Sequence, residues 1–114
     1  MENTFKASAF KDDKLKDQIK RWAAEFLQRE SSGQSLITVT DVKIGNEARE
    51  ATILFTVLPE SKQEAALEFA RRQLGDFREF INKKVKTGRM PFFHFDIDRG
   101  EKHRQRIDEI TIKN

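Results

Sequence analysis

The sequence predicts an α+β fold in which a layer of helices packs on one small sheet. Three observations carry this expectation. Apolar residues recur at three- and four-residue spacing in three stretches, as they do on the buried stripe of a helix. In three other stretches they alternate with period two, as in half-buried strands. The segments follow one another in the order α-β-β-α-α-β, which lets one face of one sheet collect all the helices.

The first helix is marked by Leu15, Ile19, Trp22, Ala23, Phe26 and Leu27, and Ser31-Ser32-Gly33 ends it with residues that tolerate a left-handed backbone. Residues 1–10 show no periodicity and are expected to form a flexible N-terminal tail ahead of a single domain over 11–114. Leu36–Ile44 reads as a strand with a slip. Ile37 and Val39 share one parity and Val42 and Ile44 the other, so a β-bulge is expected near Thr40-Asp41. Gly45-Asn46 is expected to turn the chain into a second strand, in which Ala51, Ile53, Phe55 and Val57 alternate with Thr52, Leu54, Thr56 and Leu58.

Pro59 stops that strand, and Ser61-Lys62-Gln63-Glu64 has the spacing of a capping box. Ala66, Leu67, Ala70 and Leu74 then mark one helix, and Phe77, Phe80, Ile81 and Val85 the next. Gly75 lies between them. A glycine inside a helix costs about 1 kcal/mol relative to alanine, so it is expected at a bend, where a positive φ would justify it. Thr87-Gly88 and Pro91 end the second helix, and Phe93, Phe95 and Ile97 alternate as a third strand. Ile107 and Ile110 are expected to anchor a final short helix or turn.

Composition narrows the function. The chain of 114 residues has no cysteine, which excludes disulfides and thiolate chemistry. No apolar run approaches the length of a membrane span, and Met1–Lys6 lacks the apolar core of a secretion signal. A soluble, cytoplasmic protein is expected. Net charge is only +3, but it is polarised. Between Arg71 and Arg89 seven Lys or Arg stand against the two acids Asp76 and Glu79, an excess suited to nucleic-acid phosphates.

Within that run, helical spacing places Arg78, Asn82, Lys86 and Arg89 on one stripe away from Phe77, Ile81 and Val85, with no acid among them. Lys83 instead follows Glu79 by four positions, the arrangement of a surface ion pair. The candidate RNA-binding residues are therefore Arg71, Arg72, Arg78, Asn82, Lys84, Lys86 and Arg89, around a kink at Gln73, Leu74 and Gly75.

Catalytic signals are sparse. His94, Asp96 and Asp98 project from one face of the third strand and have ligand chemistry, but the polar face of a half-buried strand explains them better. His103, flanked by Lys102 and Arg104, suits phosphate contact or solvation better than catalysis. Neither enzyme activity nor a cofactor is expected. Of the ten phenylalanines, Phe26, Phe55, Phe77, Phe80, Phe93 and Phe95 fall on core-facing phases. Phe92 alone is a candidate for base contact, and packing at the sheet edge explains it more simply.

The element order with a broken central helix resembles the type II KH arrangement, although the GxxG loop of ordinary KH domains is absent. Over roughly residues 14–110 the chain resembles bacterial ribosome-binding factor A. The resemblance rests on Ser35–Val42, Ala51–Leu58, Leu74-Gly75, Arg89-Met90-Pro91-Phe92-Phe93-His94-Phe95 and Arg106-Ile107-Asp108-Glu109-Ile110. That family carries an Ala-x-Gly kink in place of GxxG. Here Gly75 matches the glycine and Gln73 stands at the alanine, and Ser31-Ser32-Gly33-Gln34 lacks the basic, proline-containing loop common in relatives.

The resemblance implies a non-enzymatic, monomeric assembly factor. Its partners would be 16S rRNA and the free, immature 30S subunit, whose late maturation and 5′-end processing it would support. Growth in the cold and release by a ribosome-dependent GTPase belong to the same implication. A general KH-type chaperone of single-stranded RNA is the alternative, and a module binding an acidic protein is the next.

Overall fold

The computed structural model describes residues 2–30, 33–45, 47–86 and 89–100, with side chains from residue 13 onward and excluding residue 30. Its elements are α1 (Glu2–Glu30), β1 (Leu36–Gly45), β2 (Glu50–Leu58), a 3-10 turn (Glu60–Lys62), α2 (Gln63–Arg72), α3 (Leu74–Lys84) and β3 (Phe92–Ile97). The α+β order read from the sequence is therefore the observed one. The strands lie in the order β1-β2-β3, with β1 antiparallel and β3 parallel to β2. A parallel pair needs a long crossover, and α2 and α3 supply it.

One face of the sheet is apolar and covered. Val39, Val42, Ala51, Ile53, Phe55, Val57, Phe93, Phe95 and Ile97 are buried there against Ile19, Ala23, Phe26 and Leu27 of α1, Ala66 and Ala70 of α2, and Phe77 and Ile81 of α3. Phe77 is the hub. Its ring centroid lies 5.4 Å from Phe26, 5.1 Å from Phe93 and 5.4 Å from Phe95, with rings steeply inclined as edge-to-face contacts prefer. The other face carries exposed Thr38, Lys43, Glu50, Phe92 and His94.

The bulge expected from the parity slip is present. The β1–β2 register shifts between Val39 and Asp41, leaving Thr40 unpaired. Its hydroxyl is within hydrogen-bond distance of two acceptors, Asp98 Oδ2 at 2.6 Å and the Leu54 carbonyl at 3.3 Å, so the bulge reaches across β2 to the end of β3.

The backbone of α1 is helical from Glu2 onward, since extending an existing helix costs far less than nucleating one. Several local expectations need correction. The turn after β1 is not built on Gly45, which still pairs with Glu50; the left-handed residues are Glu47 (φ 57°) and Ala48 (φ 64°). Ser61 caps nothing. It lies inside the 3-10 turn, where the Lys62 amide donates to the Pro59 carbonyl at 2.9 Å, and α2 begins without a side-chain cap. The expected turns at Ser31-Ser32 and Thr87-Gly88 and the final element around Ile107 and Ile110 lie outside the described residues.

Candidate nucleic-acid interface

The break between α2 and α3 falls at Gln73, with φ −87° and ψ 4°, not at Gly75. The Gln73 amide bonds both Phe69 and Ala70 carbonyls at 3.1 Å, and its carbonyl accepts from Phe77 at 2.8 Å. The joint thus keeps its hydrogen bonds while the axis changes. Leu74 opens α3 and Gly75 is its second residue, with neither a positive φ nor any neighbour within 4 Å of where a Cβ would sit. The reason inferred for this glycine from the sequence is therefore absent: neither local backbone nor packing requires it.

Helical geometry, at 100° per residue, then places the basic residues. Phe77 and Ile81 point into the core, and the side chains beside them form two flanks. On one flank lie Arg78, Asn82 and Gly75. The Arg78 guanidinium sits 5.2 Å from the centroid of Phe92, so this flank faces the start of β3. On the other lie Phe80 and Lys84. The Lys84 ammonium is 5.1 Å from the Trp22 ring and 5.7 Å from the Phe80 ring, so this flank faces α1. The candidate cations of α3 therefore do not share one surface.

The expected four-residue stripe is also shorter than predicted. α3 ends at Lys84 and Val85 is extended (φ −117°, ψ 122°), which takes Lys86 off the helix. Lys86 and Arg89 are exposed on the segment leading to β3. Arg71 and Arg72 are exposed in the last turn of α2, where cations also suit the helix dipole. Arg72 additionally lines a cleft with Gln34, Ser35, Ile37, Lys62 and Phe69 beside the start of β1. The expected Lys83–Glu79 ion pair does not form. Lys16 pairs with Asp41 and Arg49 with Glu47, and the His94 imidazole approaches Glu50; none of these contacts uses Arg71, Arg72, Lys86 or Arg89.

The two polar residues of β3 and Asp98 just beyond it are separately engaged. His94 Nε2 lies 3.4 Å from Glu50 Oε1, Asp96 Oδ1 accepts from the Ile97 amide at 2.8 Å, and Asp98 binds Thr40 and the Gly100 amide. Among the described residues no cluster of three or more His, Cys, Asp or Glu is placed to hold a metal ion. Glu50 was not among the residues singled out from the sequence. Only the parallel β2–β3 register, which makes it the partner of Phe92, brings it to this surface.

A family model described as ribosome-binding factor A matches residues 11–111. The chain belongs to the ribosome-binding factor A family. Among relatives of that name, it is 31% identical over 108 residues to the protein of Thermobifida fusca, covering 92% of this chain and 72% of that one. It is 28% identical over 109 residues to the protein of Neisseria gonorrhoeae, covering 90% and 89%. The crystal structure of ribosome-binding factor A from Thermus thermophilus shares the fold, with a TM-score of 0.69 at 23% identity over 78% of this chain and 97% of that one. As a member of this family the chain has a KH-like α+β fold. Among the described residues no helix is long and apolar enough to cross a membrane.

Proposed function

We propose that the protein is a cytoplasmic ribosome assembly factor that binds the free, immature 30S subunit through 16S rRNA and supports its late maturation, including processing of the rRNA 5′ end. The reading is supported by family membership together with one observation, the placement of exposed cations on both sides of the α2–α3 joint. Arg71 and Arg72 precede the joint, Arg78 follows it with the neutral hydrogen-bonding amide of Asn82 beside it, and Lys86 and Arg89 continue the series towards β3. Phosphates are bound by such cations through charge and counterion release, without any need for catalytic groups. A role in cold growth, and release by a ribosome-dependent GTPase, extend the same reading. The protein acts as a monomer, without cofactor or catalysis.

The deciding experiment is co-sedimentation of the full chain with immature 30S subunits, mature 30S subunits and complete ribosomes. Preference for the immature free subunit is expected. With about four to six phosphates neutralised, log affinity should fall against log salt with a slope of roughly −3 to −5. Equal affinity for 16S precursor and unrelated single-stranded RNA would favour the general RNA chaperone instead. A flat salt response would remove the phosphate-binding surface altogether.

A further inference from the structure

One aromatic ring at this interface is left open by the packing. Phe92 begins β3, an edge strand, and is 62% exposed, whereas its neighbour Phe93 is 2% exposed in the core. The alternation turns Phe92 to the face of the sheet that, among the described residues, no helix covers. Arg78 reaches this ring from α3 and places its guanidinium 5.2 Å from the centroid. Glu50 is the cross-strand partner of Phe92 and is exposed on the same face. His94, two residues along β3, places its Nε2 3.4 Å from the Glu50 carboxylate on this face. A flat apolar surface, a cation at that surface and a carboxylate at its side thus meet within one cross-strand pair and its nearest neighbours.

We propose that Phe92, Arg78, Glu50 and His94 form a site for one unpaired nucleobase, with guanine preferred. This rests on the RNA-binding reading above and names a subsite within it. The base stacks on Phe92, as sequence-tolerant single-strand binders stack bases on exposed rings. Arg78 adds its planar cation to the stack and draws the adjoining phosphate. Glu50 accepts hydrogen bonds from the edge of the base. Guanine presents two neighbouring donors there, N1–H and the N2 amino group, which match the two oxygens of a carboxylate. Uracil presents one donor between two carbonyl oxygens, which a carboxylate repels. Arg89, three residues before Phe92, is an exposed cation for the flanking backbone.

The test uses the full chain and two labelled eight-nucleotide RNAs, one all uridine and one with a single central guanosine, followed by anisotropy at several salt concentrations. The guanosine strand should bind about tenfold more tightly. Phe92→Ala should weaken it by about tenfold, without altering the melting temperature by more than a few degrees or changing the salt slope, and Phe92→Trp should restore it. Glu50→Gln should abolish the guanosine preference, weakening the guanosine strand while the uridine strand binds as well as or better than it does to the wild type. If the wild type binds both strands with the expected salt slope but Phe92→Ala binds like wild type, or the preference survives Glu50→Gln, the base site is wrong and the RNA-binding reading stands. If the wild type binds neither these strands nor 16S rRNA, the RNA-binding reading falls and the base site with it.

Discussion

The two flanks of α3 use the same chemistry for different ends. Each sets a cation against an aromatic ring: Lys84 against Trp22 on the α1 side, Arg78 against Phe92 on the β3 side. On the α1 side the ring is half-buried, Phe80 meets it at 6.2 Å in an edge contact, and Arg21 lies 4.8 Å from the same ring. That flank is a packed seam between two helices. On the β3 side the ring is mostly exposed, and its near neighbours are polar. The lesson is that a cation–aromatic pair states no role by itself. Burial of the ring decides whether the pair holds the fold together or remains available to a ligand.

The sharpest way to break this comparison is to truncate each ring. Trp22→Ala should destabilise the fold by about 2–3 kcal/mol, somewhat below the usual loss for a fully buried aromatic, and Phe92→Ala by less than about 1 kcal/mol. Melting curves on both variants decide it. Equal losses would make the two flanks structurally alike.

Removing the cations should give the reverse order in binding. Arg78→Gln should weaken 30S binding several-fold and make the salt slope shallower by about 1. Lys84→Gln should change binding less than about twofold while costing about 0.5–1 kcal/mol of stability. Similar binding losses from the two variants would mean that the RNA surface spans both flanks.

Gly75 sharpens the comparison because it lies on the Arg78 flank. Its backbone is ordinary helix and nothing would meet a Cβ, so Gly75→Ala should raise stability by about 0.4–1 kcal/mol, a rise of a few degrees in melting temperature. If the missing side chain serves close approach of RNA backbone to this flank, the same variant should bind 30S subunits about threefold more weakly. Unchanged binding would show that this flank tolerates a methyl group and that RNA does not press against it.

The smallest effect concerns how the α1 side is fastened. Lys16 of α1 lies 3.3 Å from Asp41 beside the bulge. Burial alone would raise the Asp41 pKa, but the Val42 amide and the Lys16 ammonium outweigh it and hold the carboxyl below its ordinary 3.8. A depressed carboxylate contributes stability that is complete above its unfolded pKa and is lost as pH falls through the folded one. Lys16→Gln should therefore cost less than about 1 kcal/mol near neutral pH, since the pair is solvent-screened, and the gap from wild type should close below about pH 3.8. A gap that persists at lower pH would assign the loss to packing of the lysine stem.

Much of the fold was written in local pattern. The parity slip between Val39 and Val42 located the bulge because strand side chains alternate strictly, and one extra residue leaves a visible scar. The phases of Phe77, Ile81, Phe93 and Phe95 identified the core because a buried stripe must repeat with the period of its element. The basic run from Arg71 to Arg89 was equally plain as composition. Three matters were settled only by the tertiary structure. Phe92 and Glu50 lie 42 positions apart and meet because β3 joins β2 in parallel at one particular register, which no local spacing encodes. α3 ends at Lys84, although Val85 continues the apolar phase, because the chain must turn there to reach β3; this removes Lys86 from the helical stripe. The bend falls at Gln73 instead of the glycine because any residue can adopt its backbone angles, so the position of the break follows from how α2 and α3 each pack on the sheet rather than from the conformational freedom of one residue.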